Sequence, residues 1–256
     1  MVTANDATSD WVRSFRAGPP AARRLVCFPH AGGGAGFYRP FAKAFPAGVD
    51  VQVVQYPGRE TRASEPLVED METLADRAAE ALAPLLDRPT AVFGHSMGGS
   101  VAYEVVRRLE AAGGRRPDLL FVSARQAPAV RRDGHVHELD DERFVKVLRA
   151  TGGTPTELMD NPEMREYLLP IIRNDYRLIE RYRPEPGPRL ATGIVAIAAD
   201  DDMTVTPEEV APWAEATDGG FAQVRFAGDH FYLLERTADL VDTVHRRLRW
   251  DRFSMP

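Results

Sequence analysis

Residues 90–99 read TAVFGHSMGG. A short apolar run, Thr90 to Phe93, leads into Gly94-His95-Ser96-Met97-Gly98, a match to G-x-S-x-G. Small residues then follow at Gly99, Ser100 and Ala102, inside a stretch of helical spacing over 97–112. Only about 0.04 chance matches are expected in a chain of this composition. Strand, sharp turn and helix in that order are the setting a nucleophile elbow requires. The turn strains the backbone, so its neighbours must be small. Ser96 is expected to stand above a sheet edge, at the positive end of the helix that follows.

Working outward, apolar runs alternate with segments of helical period. RLVCFP (24–29), VQVVQY (51–56), TAVFGH (90–95), DLLFVSA (118–124), GIVAIAA (193–199) and FAQVRFA (221–227) read as strands. Segments 70–86, 97–112, 207–216 and 235–249 read as helices, while residues 1–22 read as loop. Alternation of this kind predicts a mostly parallel sheet with helices on both faces. Near-continuous apolar strands agree with burial on both sides. With the serine motif, the expectation is one α/β domain of the α/β-hydrolase type over 1–256. One stretch departs from the alternation. Residues 128–190 separate two strands and carry DDERFVKVLRA and EMREYLLPIIRNDYRLIERY. A structureless loop of that length is unexpected, so a helical insertion is predicted. At the carboxyl edge of an open sheet it would form a lid over the crevice. Phe144, Leu148, Leu168, Ile171 and Ile172 are the candidate lining of the space beneath that lid.

A serine hydroxyl needs a base. Of the six histidines, His95 is adjacent to Ser96 but aimed away by its backbone position. His30 lies in a Gly-rich loop, His135 and His137 begin the insertion, and His245 sits in an Arg-rich helix. His230, in Gly228-Asp229-His230-Phe231 after the last strand, stands where the order Ser…Asp…His puts the base. The orienting carboxylate should follow the preceding strand. Asp200-Asp201-Asp202 supplies three candidates there, among which this residue-level reading does not choose. The oxyanion donors are expected from the backbone N–H of Met97 and from Ala31 in the loop CFPHAGGGAGF (27–37). That loop fits neither G-x-G-x-x-G in a βαβ unit nor a P-loop, so a nucleotide phosphate is not expected. His135 and His137 alone make a weak metal signal, and Cys27, inside a strand, reads as a buried thiol.

The charge sum is 32 − 38 = −6, which offers no global attraction for nucleic acid or an anionic membrane. No apolar run reaches the roughly 18 residues of a membrane span, and the polar start MVTANDATSDW lacks a secretory pattern. A single cysteine forms no internal disulfide. Cytoplasmic residence, no cofactor and no metal are the expectations.

FPHAGGGAGFYRPFA (28–42), VVQYPGRE (53–60), FGHSMGG (93–99) and GDHFYL (228–233) together resemble the type II thioesterases of polyketide and nonribosomal peptide pathways. The resemblance runs from about residue 22 to 248. It implies a free-standing α/β hydrolase that removes stalled or wrong acyl groups from the phosphopantetheine arm of acyl or peptidyl carrier proteins. It implies Ser96 as nucleophile, His230 as base and Asp202 as the triad acid, because Asp202-Met203-Thr204-Val205 aligns with the family's D-P-x-V. It also implies that 128–190 is the family's lid. Ala199, Met203, Asp229 and His30 depart from the family pattern, where glycine, proline, glycine and an aromatic residue are usual. An ester or lactone hydrolase, an acyltransferase and a non-catalytic carrier-binding protein are the competing readings. Arg107, Arg108, Arg115 and Arg116 form a candidate docking patch for an acidic carrier.

Overall fold

The computed structural model describes residues 10–15, 21–153 and 156–248. Strands β1 (Val12–Ser14), β2 (Arg23–Phe28), β3 (Val49–Val54), β4 (Thr90–His95), β5 (Leu119–Ser123), β6 (Gly193–Ala199) and β7 (Phe221–Phe226) make one sheet. Their order is β1-β3-β2-β4-β5-β6-β7. Only the edge strand β1 runs antiparallel, with Val12 opposite Val54. The other neighbours are parallel. Of the loop read over 1–22, residues 1–9 and 16–20 lie outside the described residues.

Period-2 side-chain direction explains why these strands read as continuous apolar runs. On β2, Val26 and Phe28 face one layer while Leu25 and Cys27 face the other. On β6, Ile194, Ala196 and Ala198 oppose Val195, Ile197 and Ala199 in the same way. The first layer is covered by α2 (Met71–Leu82) and α3 (Met97–Ala111). The second is covered by α1 (Arg39–Ala44), α8 (Tyr232–Glu235) and α9 (Thr237–Leu248). This is the α/β-hydrolase arrangement. Asp70 caps α2 by accepting from the Thr73 N–H at 2.7 Å, satisfying one of the orphan donors of its first turn.

Between β5 and β6 stand α4 (Asp141–Thr151), α5 (Thr156–Asp160) and α6 (Pro162–Arg181). α4 begins at the Asp140 cap and ends at Gly152, whose φ of +83° is the left-handed conformation of a helix C-cap. The predicted helix over 207–216 divides into α7 (Pro207–Val210) and a 3₁₀ turn, Ala211–Ala216. Pro212 lacks the N–H that a continuing α-helix would use. β1, α1 and the short α8 were not expected from the sequence.

Candidate active site

Ser96 sits between the end of β4 and the first residue of α3. Its φ of +54° is a conformation that a side chain adopts only under strain. Two backbone hydrogen bonds hold it there, Ser96 N–H to Ser123 O at 2.8 Å and Gly99 N–H to Ser96 O at 2.9 Å. The turn also demands glycine at 98, since a Cβ there would lie 2.1 Å from the Phe28 carbonyl oxygen.

Ser96 Oγ lies 2.9 Å from His230 Nε2, and His230 Nδ1 lies 2.7 Å from Asp202 Oδ2. Three loops at the carboxyl ends of β4, β6 and β7 therefore converge on one line. The Asp202 side chain is fully buried. Its second oxygen accepts from the Thr204 N–H and O–H, each at 2.7 Å, and from the Val205 N–H at 3.2 Å. Burial alone raises the Asp202 carboxyl. The hydrogen bond and charge of His230, with the Thr204 donors, outweigh it and hold the group below its ordinary 3.8. Asp200 instead pairs with Arg225 at the surface, and Asp201 is exposed. Met203, where proline is usual, is fully exposed, so it leaves the Asp202 turn intact. Thr204, which the sequence reading passed over, also places Oγ1 2.8 Å from His230 Nδ1. The Asp-x-Thr spacing of an Asx-type turn was its available signal. Asp229 accepts from the Phe231 N–H and so ties down the turn beside His230.

The other histidines divide by environment. His95 and His30 are buried beneath the His230 ring, with the His95 ring 5.2 Å away, centroid to centroid. His95 bonds Ser123 Oγ at 2.8 Å rather than Ser96. Burial first, then the charge of His230, drives His30 down to about 3 and His95 well below its ordinary value. Both are neutral walls. His137 is bonded to Glu180, and no group of three or more metal-binding side chains occurs among the described residues. Burial drives the Cys27 thiol far up, as befits an inert core residue.

The loop after β2 carries Ala31 to the cavity at Ser96, and Met97 is the first residue of α3. What anchors the loop was not legible beforehand. The Gly32 N–H donates to Asp175 Oδ2 of α6 at 2.8 Å. Asp175 also receives both terminal nitrogens of Arg59, at 2.5 and 2.8 Å, and Arg59 donates to the Gly33 carbonyl at 3.2 Å. Both partners are buried, with side chains 6% and 3% exposed. Burial alone lowers Arg59, but the adjacent Asp175 carboxylate raises it above its ordinary value. A Cβ on Gly32 would meet Ile172 Cγ1 at 2.6 Å, and its φ is +76°. The insertion is thereby locked to the loop that carries Ala31.

The cavity has a volume of about 360 Å³. Ser96, His30, Ala31 and His230 line its floor, and the insertion supplies Val136, Val147, Thr151, Tyr176 and Ile179. The expected lining set is corrected here. Phe144, Leu148, Leu168 and Ile172 pack with Val145, Met159 and Leu169 into the insertion's own core. Ile171 is buried outside that cluster and does not reach the cavity either. The clustered side chains lie where α4, α5 and α6 pack together. The cavity sees residues about one turn further along each helix. The proposed arginine patch is also largely spent: Arg107 and Arg108 pair with Glu104, Arg108 also with Asp76, and Arg115 donates to the Leu86 and Asp87 carbonyls.

Residues 23–248 match the family model described as Thioesterase domain. The chain belongs to the thioesterase domain family. This thioesterase is 40% identical over 252 residues to the "Probable cadicidin biosynthesis thioesterase" of Streptomyces griseus, covering 98% of this chain and 70% of that protein. It is 38% identical to thioesterase PikA5 of Streptomyces venezuelae, over 93% of this chain and 85% of the relative. The solved structure of the type II thioesterase BorB from the borrelidin biosynthetic cluster superposes with a TM-score of 0.87 at 45% identity. The match covers 94% of this chain and 98% of that one. The thioesterase is thus a hydrolase acting on thioesters, and it groups with enzymes of polyketide and nonribosomal peptide biosynthesis. No helix among the described residues is long and apolar enough to cross a membrane.

Proposed function

We propose that this thioesterase removes acyl groups from the phosphopantetheine arm of acyl or peptidyl carrier proteins, with Ser96 as nucleophile, His230 as base and Asp202 as orienting acid. The hydrogen-bonded line Ser96–His230–Asp202 at the floor of a partly apolar cavity carries the reading. His230 Nε2 takes the Ser96 proton as Oγ attacks the thioester carbonyl. Asp202 holds the Nδ1–H tautomer and stabilises the imidazolium. The Met97 and Ala31 backbone N–H groups receive the oxyanion. The C–S bond breaks and the pantetheine thiol leaves, taking the proton held on His230. A thiol with a pKa near 8.5 needs little help to depart. His230 then deprotonates water, which cleaves the acyl-serine ester. The products are the free acid and regenerated Ser96.

In this proposal residues 128–190 are the lid of a single α/β-hydrolase domain, and the enzyme works in the cytoplasm beside its synthase. No metal or organic cofactor takes part in any step. The test is intact-mass measurement of a panel of acyl-loaded carrier proteins, before and after incubation. Loss of the acyl mass with wild type and its retention with Ser96→Ala is the expected result. Faster cleavage of matched oxygen esters than of thioesters would overturn the thioester reading. Absence of labelling by a serine-directed fluorophosphonate would overturn the nucleophile.

A further inference from the structure

Arg125 brings to the same cavity a positive charge that no carboxylate among the described residues answers. It follows Ala124, whose φ is +49°, a strained value held by the Ala124 N–H to Ile197 O bond at 2.8 Å. The Arg125 carbonyl accepts from Trp213 Nε1 at 2.9 Å. With its backbone clamped on both sides, the side chain is directed over the start of α3. There its Nε–H donates to Ser100 Oγ at 2.8 Å. A guanidinium has five N–H donors, and this is the side chain's one hydrogen bond among the described residues.

Of the other charged side chains lining this cavity, Arg131 is exposed to solvent and the rest are engaged. Arg132 is paired with Glu209, Arg183 with Asp133, and Glu180 is spent on His137 and backbone N–H groups. Burial, with the like charge of Arg132, pushes Arg125 down to about 10, so it remains a cation at neutral pH. A charge held partly out of water without a counter-ion is costly. Strained backbone that holds it in place is a feature of ligand-binding positions.

We propose that Arg125 binds a carboxylate on the acyl chain, so that the enzyme accepts half-thioesters of dicarboxylic acids. The proposal rests on the acyl-thioesterase reading above. Reach decides the source of the anion. Ser100 is four residues beyond Ser96 on one helix, about 6 Å along its axis. A chain of three methylenes between thioester carbonyl and carboxylate spans that distance. The phosphate of an extended pantetheine arm lies roughly 15 Å from the sulfur by standard bond lengths, too far for the same guanidinium.

The test compares glutaryl and pentanoyl thioesters of N-acetylcysteamine, which match in chain length and differ by carboxylate against methyl. Wild type should cleave both. In Arg125→Gln the glutaryl-to-pentanoyl ratio of kcat/KM should fall about 10- to 100-fold, the range of one lost charge-assisted hydrogen bond. Arg125→Lys, which keeps the charge, should restore part of the ratio. An unchanged ratio overturns the proposal. So does a loss confined to substrates carrying phosphopantetheine, which would assign Arg125 to the phosphate. Should the variants not fold, wild type still decides the matter. Glutarate must inhibit pentanoyl hydrolysis at lower concentration than pentanoate, and equal or weaker inhibition refutes the site. Cleavage of neither thioester by wild type would instead bring down the thioesterase reading, and this proposal with it.

Discussion

Asp175→Asn tests whether the insertion and the loop carrying Ala31 are one mechanical unit. Asp175 accepts three hydrogen bonds, two from Arg59 and one from the Gly32 N–H, and its side chain is 3% exposed. The amide cannot balance the guanidinium charge and leaves one acceptor oxygen where there were two, for Arg59 and the Gly32 N–H to share, while Arg59 Nε already lacks a partner. Removing one member of a buried pair costs about 3–5 kcal/mol. At about 2–4 °C per kcal/mol for a chain near this size, the melting temperature should drop by roughly 6–20 °C. The Gly32 N–H also loses its charged acceptor next to Ala31. A fall in kcat of about 10- to 100-fold is expected, the scale of one misplaced oxyanion donor or somewhat less, with KM nearly constant. The double variant Arg59→Met with Asp175→Leu should recover most of the stability, because apolar replacement of a buried pair is often neutral. It should not recover kcat, since Gly32 remains unanchored. Calorimetry and steady-state hydrolysis of a small acyl thioester provide both readouts. A single-variant cost below about 1 kcal/mol, or full kcat in the double variant, would refute the reasoning.

Other outcomes follow from the same geometry. Asp202→Asn should lower kcat by roughly 10⁴ by losing the Nδ1–H tautomer, while Asp200→Asn, at its surface pair with Arg225, should change kcat little. Phe144→Ala should destabilise by about 3–5 kcal/mol as a core deletion, with little change in acyl-length preference. Ile179→Phe, in the cavity wall, should shift preference toward shorter acyl chains. For pH, the sign runs against stability in acid. The folded state keeps His30 unprotonated down to about 3, whereas the unfolded chain protonates it near 6.5, so stability falls as pH drops through that window. His30→Asn should flatten the dependence of denaturation midpoint on pH between those values, and an unaltered slope would disprove it. Asp202, held below 3.8, adds stability that is present above that value and lost beneath it.

The parallel sheet, the strand-turn-helix setting of Ser96 and the place of His230 after the last strand were all legible in the chain itself. Each depends on neighbours within a few residues. Alternating burial on β2 and β6 writes itself as apolar runs, and a strained turn needs glycine beside the serine. β1 and α1 escaped notice because three and six residues are too short to show a period. Among Asp200, Asp201 and Asp202, composition and spacing were equal, and motif resemblance alone favoured the last. Tertiary structure separates them by burying one carboxylate against His230 and leaving the others toward water. The same holds for α4 and α6. Helical period shows that each has an apolar face, but not whether Phe144 or Val147 meets the cavity, since that depends on how the two helices roll against each other. The Arg59–Asp175 pair spans 116 positions, and the Arg125 contact with Ser100 spans 25. Both are properties of what the folded chain brings together, because charge and burial are settled by three-dimensional neighbours.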